Sequence, residues 1–171
     1  APPSAWKGSS ANGRLASAPE REAAGQGETY DLVRVQARLN DDEALAGWCE
    51  GPWREGVADL AEAIDFLRYY AQEMVRLDKN PHVRNAPGED NTYVYEPRGV
   101  CLVIAPWNFP LAIPTGMVSA ALVSGNTVIF KPSSLSPVLG WKLFGIFKRA
   151  GLPPGALHFL PGSGAEVGEF L

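Results

Sequence analysis

The sequence predicts an α/β fold: a parallel sheet built from strand–helix–strand units, preceded by one long amphipathic helix. Three observations carry this expectation. From Gly99 onward, short apolar runs rich in Val, Ile and Phe alternate with helical stretches, the pattern of βαβ units. Charge is partitioned along the chain: residues 101–171 hold four of the 15 basic and two of the 19 acidic residues, so the second part is core-like and the first is its solvated covering. Between Val57 and Leu77, apolar residues recur with the period of a helix.

Composition bounds the function classes. A chain of 171 residues that is 46% hydrophobic and 20% charged is a soluble globular protein of one domain, with or without a tail. No apolar run reaches the roughly 18 residues of a membrane span. A formal charge of −4, without clustered Lys and Arg, argues against a nucleic-acid partner. The two cysteines, Cys49 and Cys101, show no Cys-x-x-Cys or Cys/His spacing, so no zinc site is expected. Val100 and Leu102 flank Cys101 and predict a buried, reduced strand thiol in a cytoplasmic protein. The opening Ala1–Ala5 lacks the basic and apolar regions of a signal peptide.

The elements follow in order. Residues 1–30 are mostly Ala, Gly, Pro and Ser without lasting periodicity; they are expected to be poorly ordered and cut first in limited proteolysis. Leu32, Val35, Leu39 and Leu45 suggest a short helix within residues 31–48. Leu60, Ile64, Leu67, Ala71 and Met74 form one stripe of the long helix, with Asp59, Glu62 and Asp65 in the half where the helix dipole favours acids. Asn80-Pro81 ends it. Pro87–Asn91 is a turn, and Thr92–Tyr95 a β-rich segment expected to be a strand. Gly99–Ile104 is a continuous apolar run, as for a strand buried on both faces. Residues 111–123 form a helix, with Pro114 restricting where it begins. Asn126–Phe130 is a second buried strand. Pro137–Ala150 is a helix with Pro near its start and Gly151 just past its end. Ala156–Leu160 is a third strand, and a further helix begins near Ala165. Its two turns, uncapped at Leu171, predict that the chain is a fragment.

The chemistry is expected at the carboxyl ends of the strands, where open α/β sheets bind ligands. Ile104 to Pro110 (Ile-Ala-Pro-Trp-Asn-Phe-Pro) turns there through two prolines. The Asn108 amide can donate to an oxyanion; alternatively Asn108 caps the next helix. Lys131 ends the second strand and is the sole charge between Gly99 and Trp141. It suits a phosphate or a ribose hydroxyl, or is a surface lysine leaving the sheet. Ser133, Ser134 and Ser136 are candidate helix caps. Gly162-Ser163-Gly164 precedes a helix N-terminus, which is an anion site or a plain glycine turn. Glu62 and Asp65 lie one turn apart, as an acid pair or a solvated face. His82 and His158 show no ligand spacing, and Cys101, with no adjacent base, is not a nucleophile.

Three segments in register, Ile104–Pro110, Gly125–Pro132 and Pro161–Gly168, resemble the PWNFP, GNTVxxKP and PGxGxxxG segments of the aldehyde dehydrogenase superfamily. Glu62–Tyr70, Pro87–Asn91 and Gly164–Leu171 resemble its L-glutamate γ-semialdehyde (1-pyrroline-5-carboxylate) dehydrogenase branch. The likeness covers roughly residues 50–171 and implies an incomplete Rossmann-like parallel sheet, the partial NAD(P)-binding domain of such an enzyme. Residues 1–48 do not resemble the family's amino-terminal region.

The resemblance also implies roles. Ile104, Ala105, Pro106 and Trp107 would line the nicotinamide end of NAD or NADP. Asn108 would be the side-chain half of the oxyanion hole. Lys131 would bind the adenine-side ribose, and Gly164 and Gly168 would border the adenine pocket. Phe109 would pack on the aldehyde's carbon chain, and Glu62 would approach its amino group. Many relatives carry Glu where this chain has Ser134; Ser leaves room for a 2′-phosphate, so NAD and NADP both stay open. The family's catalytic Cys, general base and carboxylate-gripping loop match positions beyond Leu171, so the chain alone is expected not to oxidise aldehydes. The implied whole enzyme is a homo-oligomer that oxidises glutamate γ-semialdehyde to glutamate in proline degradation. A different aldehyde dehydrogenase, such as one for succinate semialdehyde, and a non-catalytic nucleotide-binding fragment are the alternatives.

Overall fold

A computed structural model describes residues 35, 38, 53–79 and 84–171. Within them, helix α1 (Trp53–Asp78) is followed by β1 (Val100–Ile104), α2 (Ala112–Val123), β2 (Thr127–Lys131), α3 (Pro137–Arg149), β3 (Leu157–Phe159) and a single-turn α4 (Gly164–Val167) that tightens into a 3₁₀ turn, Gly168–Phe170. The strands form one sheet in the order β1-β2-β3. Both pairings are parallel, with Ile104 beside Lys131 and Phe130 beside Phe159.

The register decides which side chains share a face. Val103, Val128, Phe130 and Leu157 point to one side and are buried among Leu122, Leu143, Ile146 and Phe147 of the helices. Phe130, Phe144 and Trp141 all set their rings against Phe159 with centroids 5.4–6.0 Å apart. Helix α3 comes so close to the sheet that a Cβ on Gly140 would stand 2.7 Å from Pro132 Cβ. Val35, helical and buried, joins this core.

Helix α1 packs on α2, with the Phe66 ring against Gly116. Its buried stripe is Asp59, Ala63, Leu67, Ala71 and Met74. Leu60 and Ile64 flank that stripe and are only partly buried. The expected stripe is therefore rotated by a fraction of a turn, and Asp59 stands inside it.

Two strand expectations are corrected. Thr92–Tyr95 is not a strand: it is exposed and unpaired, and Tyr93 and Tyr95 stack edge to face at 4.9 Å. Alternation of β-branched and aromatic residues is satisfied there by local ring contact, without a ladder. β1 is not buried on both faces: Val100 and Ile104 are 70% and 54% exposed, because the core lies on the other side. The other two strands and the helices after β1 shift by one residue or two, while α1 begins at Trp53, four residues before the expected Val57. Asn126 precedes β2 and acts as a buried joint. Its Oδ1 accepts from the Arg98 and Gly99 N–H groups (2.6 and 3.0 Å), and its Nδ2 donates to Ala121 O and Ser124 Oγ. It thereby ties the entry of β1 to the end of α2.

Candidate functional site at the carboxyl ends of the strands

Parallel pairing brings the carboxyl ends of β1, β2 and β3 to one edge of the sheet, the place where such sheets bind ligands. The Ala105 N–H donates to Lys131 O at 3.1 Å, and the Leu160 N–H to Phe130 O at 2.9 Å. Ile104, Ala105 and Lys131 are thus neighbours, with Pro106–Pro110, Pro132–Ser136 and Pro161–Ser163 rising from the same edge.

Lys131 is not a surface lysine leaving the sheet. It is 7% exposed, and among the described residues its Nζ donates only to the adjacent Pro132 carbonyl, at 3.4 Å. An ammonium group carries three donors, so this cation retains capacity for a hydroxyl acceptor. After it, Ser133 Oγ accepts from the Leu135 N–H at 3.2 Å. Ser136 occupies the N-cap position of α3 without a side-chain bond, and Ser134 is exposed. None of the three serines caps α3 through its hydroxyl.

The loop after β1 resolves the alternatives at Asn108. The N-cap position of α2 is Leu111, with no cap from its own side chain. The helix end is satisfied by Asp59, whose Oδ2 and Oδ1 accept from the Leu111 and Ala112 N–H groups at 3.0 and 2.8 Å. Asn108 is exposed and has no hydrogen-bond partner among the described residues, so the capping role falls to another element. Its neighbours Pro106, Trp107 and Phe109 are exposed, while Ala105 and Pro110 anchor the loop in the core. Glu62 is exposed on α1 one turn beyond Asp59, which places that turn of α1 beside the start of α2.

The turn after β3 differs from an open anion site. Ser163 and Glu166 form a reciprocal cap: the Ser163 N–H and Oγ–H donate to Glu166 Oε2 at 3.0 and 2.8 Å, and Ser163 Oγ accepts from the Glu166 N–H at 3.3 Å. The Ser163 backbone donor, then its hydroxyl, hold the Glu166 carboxyl below the ordinary glutamate value. The carboxylate of this chain already occupies the end of α4. Gly162, at φ 149°, lets the backbone pass Val167, whose Cγ1 would stand 2.9 Å from a Cβ there. Gly164 and Gly168 face open space, with nothing within 4 Å of where a Cβ would lie.

The other candidates stay apart. Asp65 pairs with Arg68 at 3.6 Å on the solvated face of α1. His158 turns its Nε2 to Gly155 O at 3.1 Å. Cys101 is a free, partly buried thiol in mid-strand. His82, Cys49 and the segments 1–30 and 39–48 lie outside the described residues. Among the described residues no cluster of His, Cys, Asp or Glu is placed to hold a metal ion, and no helix is long and apolar enough to cross a membrane. Asp59 is the residue that sequence reasoning missed. Its signal was present, because an acid in phase with Ala63, Leu67, Ala71 and Met74 must be buried and therefore partnered.

Comparisons with known proteins give the family and the fold. The aldehyde dehydrogenase family matches residues 40–171. A 1-pyrroline-5-carboxylate dehydrogenase of Anoxybacillus flavithermus is 53% identical over 120 residues, 70% of this chain and 23% of that protein. The 1-pyrroline-5-carboxylate dehydrogenase 2 of Bacillus subtilis is 52% identical over 140 residues, 81% of this chain and 27% of its own length. Among solved structures, a Thermus 1-pyrroline-5-carboxylate dehydrogenase with bound NAD superposes with a TM-score of 0.80 at 44% identity, covering 84% of this chain and 29% of that one. Proline utilization A of Bdellovibrio bacteriovorus gives a TM-score of 0.80 at 45% identity, over 84% of this chain and 15% of its own. The chain thus spans about a quarter of the curated relatives it matches.

Proposed function

The chain belongs to the aldehyde dehydrogenase family, and from that premise we propose that it forms part of an NAD(P)-dependent enzyme oxidising L-glutamate γ-semialdehyde to glutamate in proline degradation. It supplies the dinucleotide-binding sheet edge and one oxyanion donor. The observation that carries this reading is the division of labour at α2. Asp59 satisfies the helix end, so the Asn108 amide is left exposed in the loop beyond β1. When an aldehyde carbonyl is attacked by a thiolate of the whole enzyme, negative charge develops on its oxygen. The Asn108 N–H₂ donates to that oxygen and stabilises charge that appears only on the way to the transition state. Phe109, exposed beside it, covers the aldehyde's carbon chain, and Glu62 meets its amino group.

The residues present fit a nicotinamide dinucleotide. Lys131 is a buried cation with unused donors for ribose hydroxyls. Gly164 and Gly168 leave open space for a flat ring. Ile104, Ala105, Pro106 and Trp107 offer an apolar surface at the other end of the edge. Bound nicotinamide supplies hydride acceptance. NAD is the cofactor of this reading, supported by the NAD-bound Thermus relative; Ser134 is short and exposed, leaving room for a 2′-phosphate, so NADP is also accepted. A cytoplasmic homo-oligomer is part of the same proposal.

The test is Asn108→Ala in a full-length dehydrogenase carrying this segment. The expected outcome is a fall in kcat of about 10²–10³-fold, with the Kd for NAD within twofold and an unchanged Tm. A near-normal kcat overturns the oxyanion role.

A further inference from the structure

Asp59 is buried, 3% exposed, on a stripe of α1 that is otherwise apolar. Its carboxylate spends one oxygen on each of two consecutive backbone donors, Leu111 N–H and Ala112 N–H, 52 and 53 residues away in sequence. A single cap usually sits on the helix it serves. Here the cap comes from a neighbouring helix, so it fixes α2 relative to α1 as well as ending it. The fixed turn is also the exit of the loop that carries Asn108. The Ile113 N–H donates to Phe109 O at 3.3 Å and the Thr115 N–H to Leu111 O at 3.0 Å. At the loop's entrance, the Ala105 N–H is held by Lys131 O at 3.1 Å. Between these anchors, Pro106 and Pro110 restrict the backbone. Asn108 therefore has its position dictated from both ends, and the second end depends on Asp59.

We propose that Asp59 is a positioning residue for the Asn108 oxyanion donor, acting through the first turn of α2. The inference rests on the oxyanion reading of Asn108. The chemistry needs a carboxylate. An amide at position 59 accepts from one N–H and presents its own N–H₂ to the other, so the first turn of α2 must move. An oxyanion donor works only within about 2.7–3.1 Å of the charged oxygen, and displacement by about 1 Å costs on the order of 10²-fold in rate. The ribose and adenine end of the cofactor edge, built on β2 and β3, does not run through this turn.

The experiment is a double-mutant cycle in a full-length dehydrogenase carrying this segment. Asp59→Asn, Asn108→Ala and the pair are compared for kcat, Kd of NAD and Tm, with Asp59→Ser as a second variant at the same site. The expected result is a kcat reduced tenfold or more by Asp59→Asn when Asn108 is present, and less than threefold in the Asn108→Ala background. The Kd of NAD changes by less than twofold in every variant. Equal factors in the two backgrounds, or a changed Kd with an unaffected kcat, overturn the positioning role. So does failure of both position-59 variants to fold, which assigns Asp59 to stability alone. The oxyanion reading fails separately, if Asn108→Ala by itself leaves kcat near normal.

Discussion

Glu166 shows how a single carboxylate closes a helix end that the backbone alone would leave open. Helix N-termini attract anions because their first N–H groups lack partners. At α4 the Glu166 carboxylate takes the Ser163 N–H and hydroxyl, and the same contacts lower its pKa, backbone donor first. A lowered carboxyl pKa stabilises the folded turn at pH above the ordinary glutamate value of about 4.3, and that contribution is lost as pH falls through the folded value. NMR titration of the Glu166 side-chain carbon is expected to show a midpoint below that of unstructured glutamate. Ser163→Ala is expected to raise the midpoint part of the way, because the backbone donor remains. A midpoint that Ser163→Ala leaves unmoved would remove the hydroxyl from the account. Asp59 follows the same logic over a longer range. Both acids stand where orphan backbone donors must be satisfied, but only Glu166 shows its partner locally, in the Ser-x-x-Glu spacing.

At the scale of elements, the contact between α3 and the end of β2 controls the loop bearing Ser133 and Ser134. Gly140 lets the first turn of α3 settle on Pro132; a Cβ would lie 2.7 Å from Pro132 Cβ and 3.3 Å from the Phe159 ring. Replacing a helical Gly by Ala ordinarily gains about 1 kcal/mol, whereas overpacking costs about 1–3 kcal/mol. The Pro132 ring is fixed to the strand end and cannot swing away, so the clash decides the sign. Gly140→Ala is expected to lower the Tm and weaken NAD binding, as Lys131 and Ser134 shift with the loop. A raised Tm with unchanged NAD affinity would show that α3 slides freely. Element identity was largely legible here. Three strands and the two helices between them were expected within a residue or two of where they form, and α1 within four, because period and punctuation are local properties. Thr92–Tyr95 failed on the same ground: residue preference marks a segment as able to pair, and pairing needs a partner strand at the right place.

For the whole molecule, the asymmetry of the sheet is the main consequence of the topology. One face builds the core, while Val100, Leu102 and Ile104 of β1 expose 70%, 39% and 54% of their surface on the other. A contiguous apolar sheet face in water favours association or ligand cover. The 171-residue chain studied alone is expected to bind a hydrophobic fluorescent dye, and Leu102→Thr, which places a polar β-branched residue suited to a strand, is expected to reduce that binding. Dye binding equal in both would place the exposed apolar surface elsewhere.

What the sequence by itself determined is what depends on spacing along the chain. That covers the helical period of α1, the alternation of strands and helices, the Asn at the turn after β1, the Lys at the end of β2 and the glycines after β3. The tertiary structure alone decided which of these act together. Parallel pairing made Ile104 and Lys131 neighbours, and one-sided packing left Val100, Leu102 and Ile104 of β1 exposed. The reach of Asp59 to Leu111 and Ala112 took the capping role from Asn108. The physical reason is the range of the forces involved. Periodicity and turn chemistry act within a few residues. Burial and the satisfaction of backbone donors are settled only when segments some 50 residues apart come into contact, and a carboxylate removed from water binds whichever N–H groups the packing brings to it.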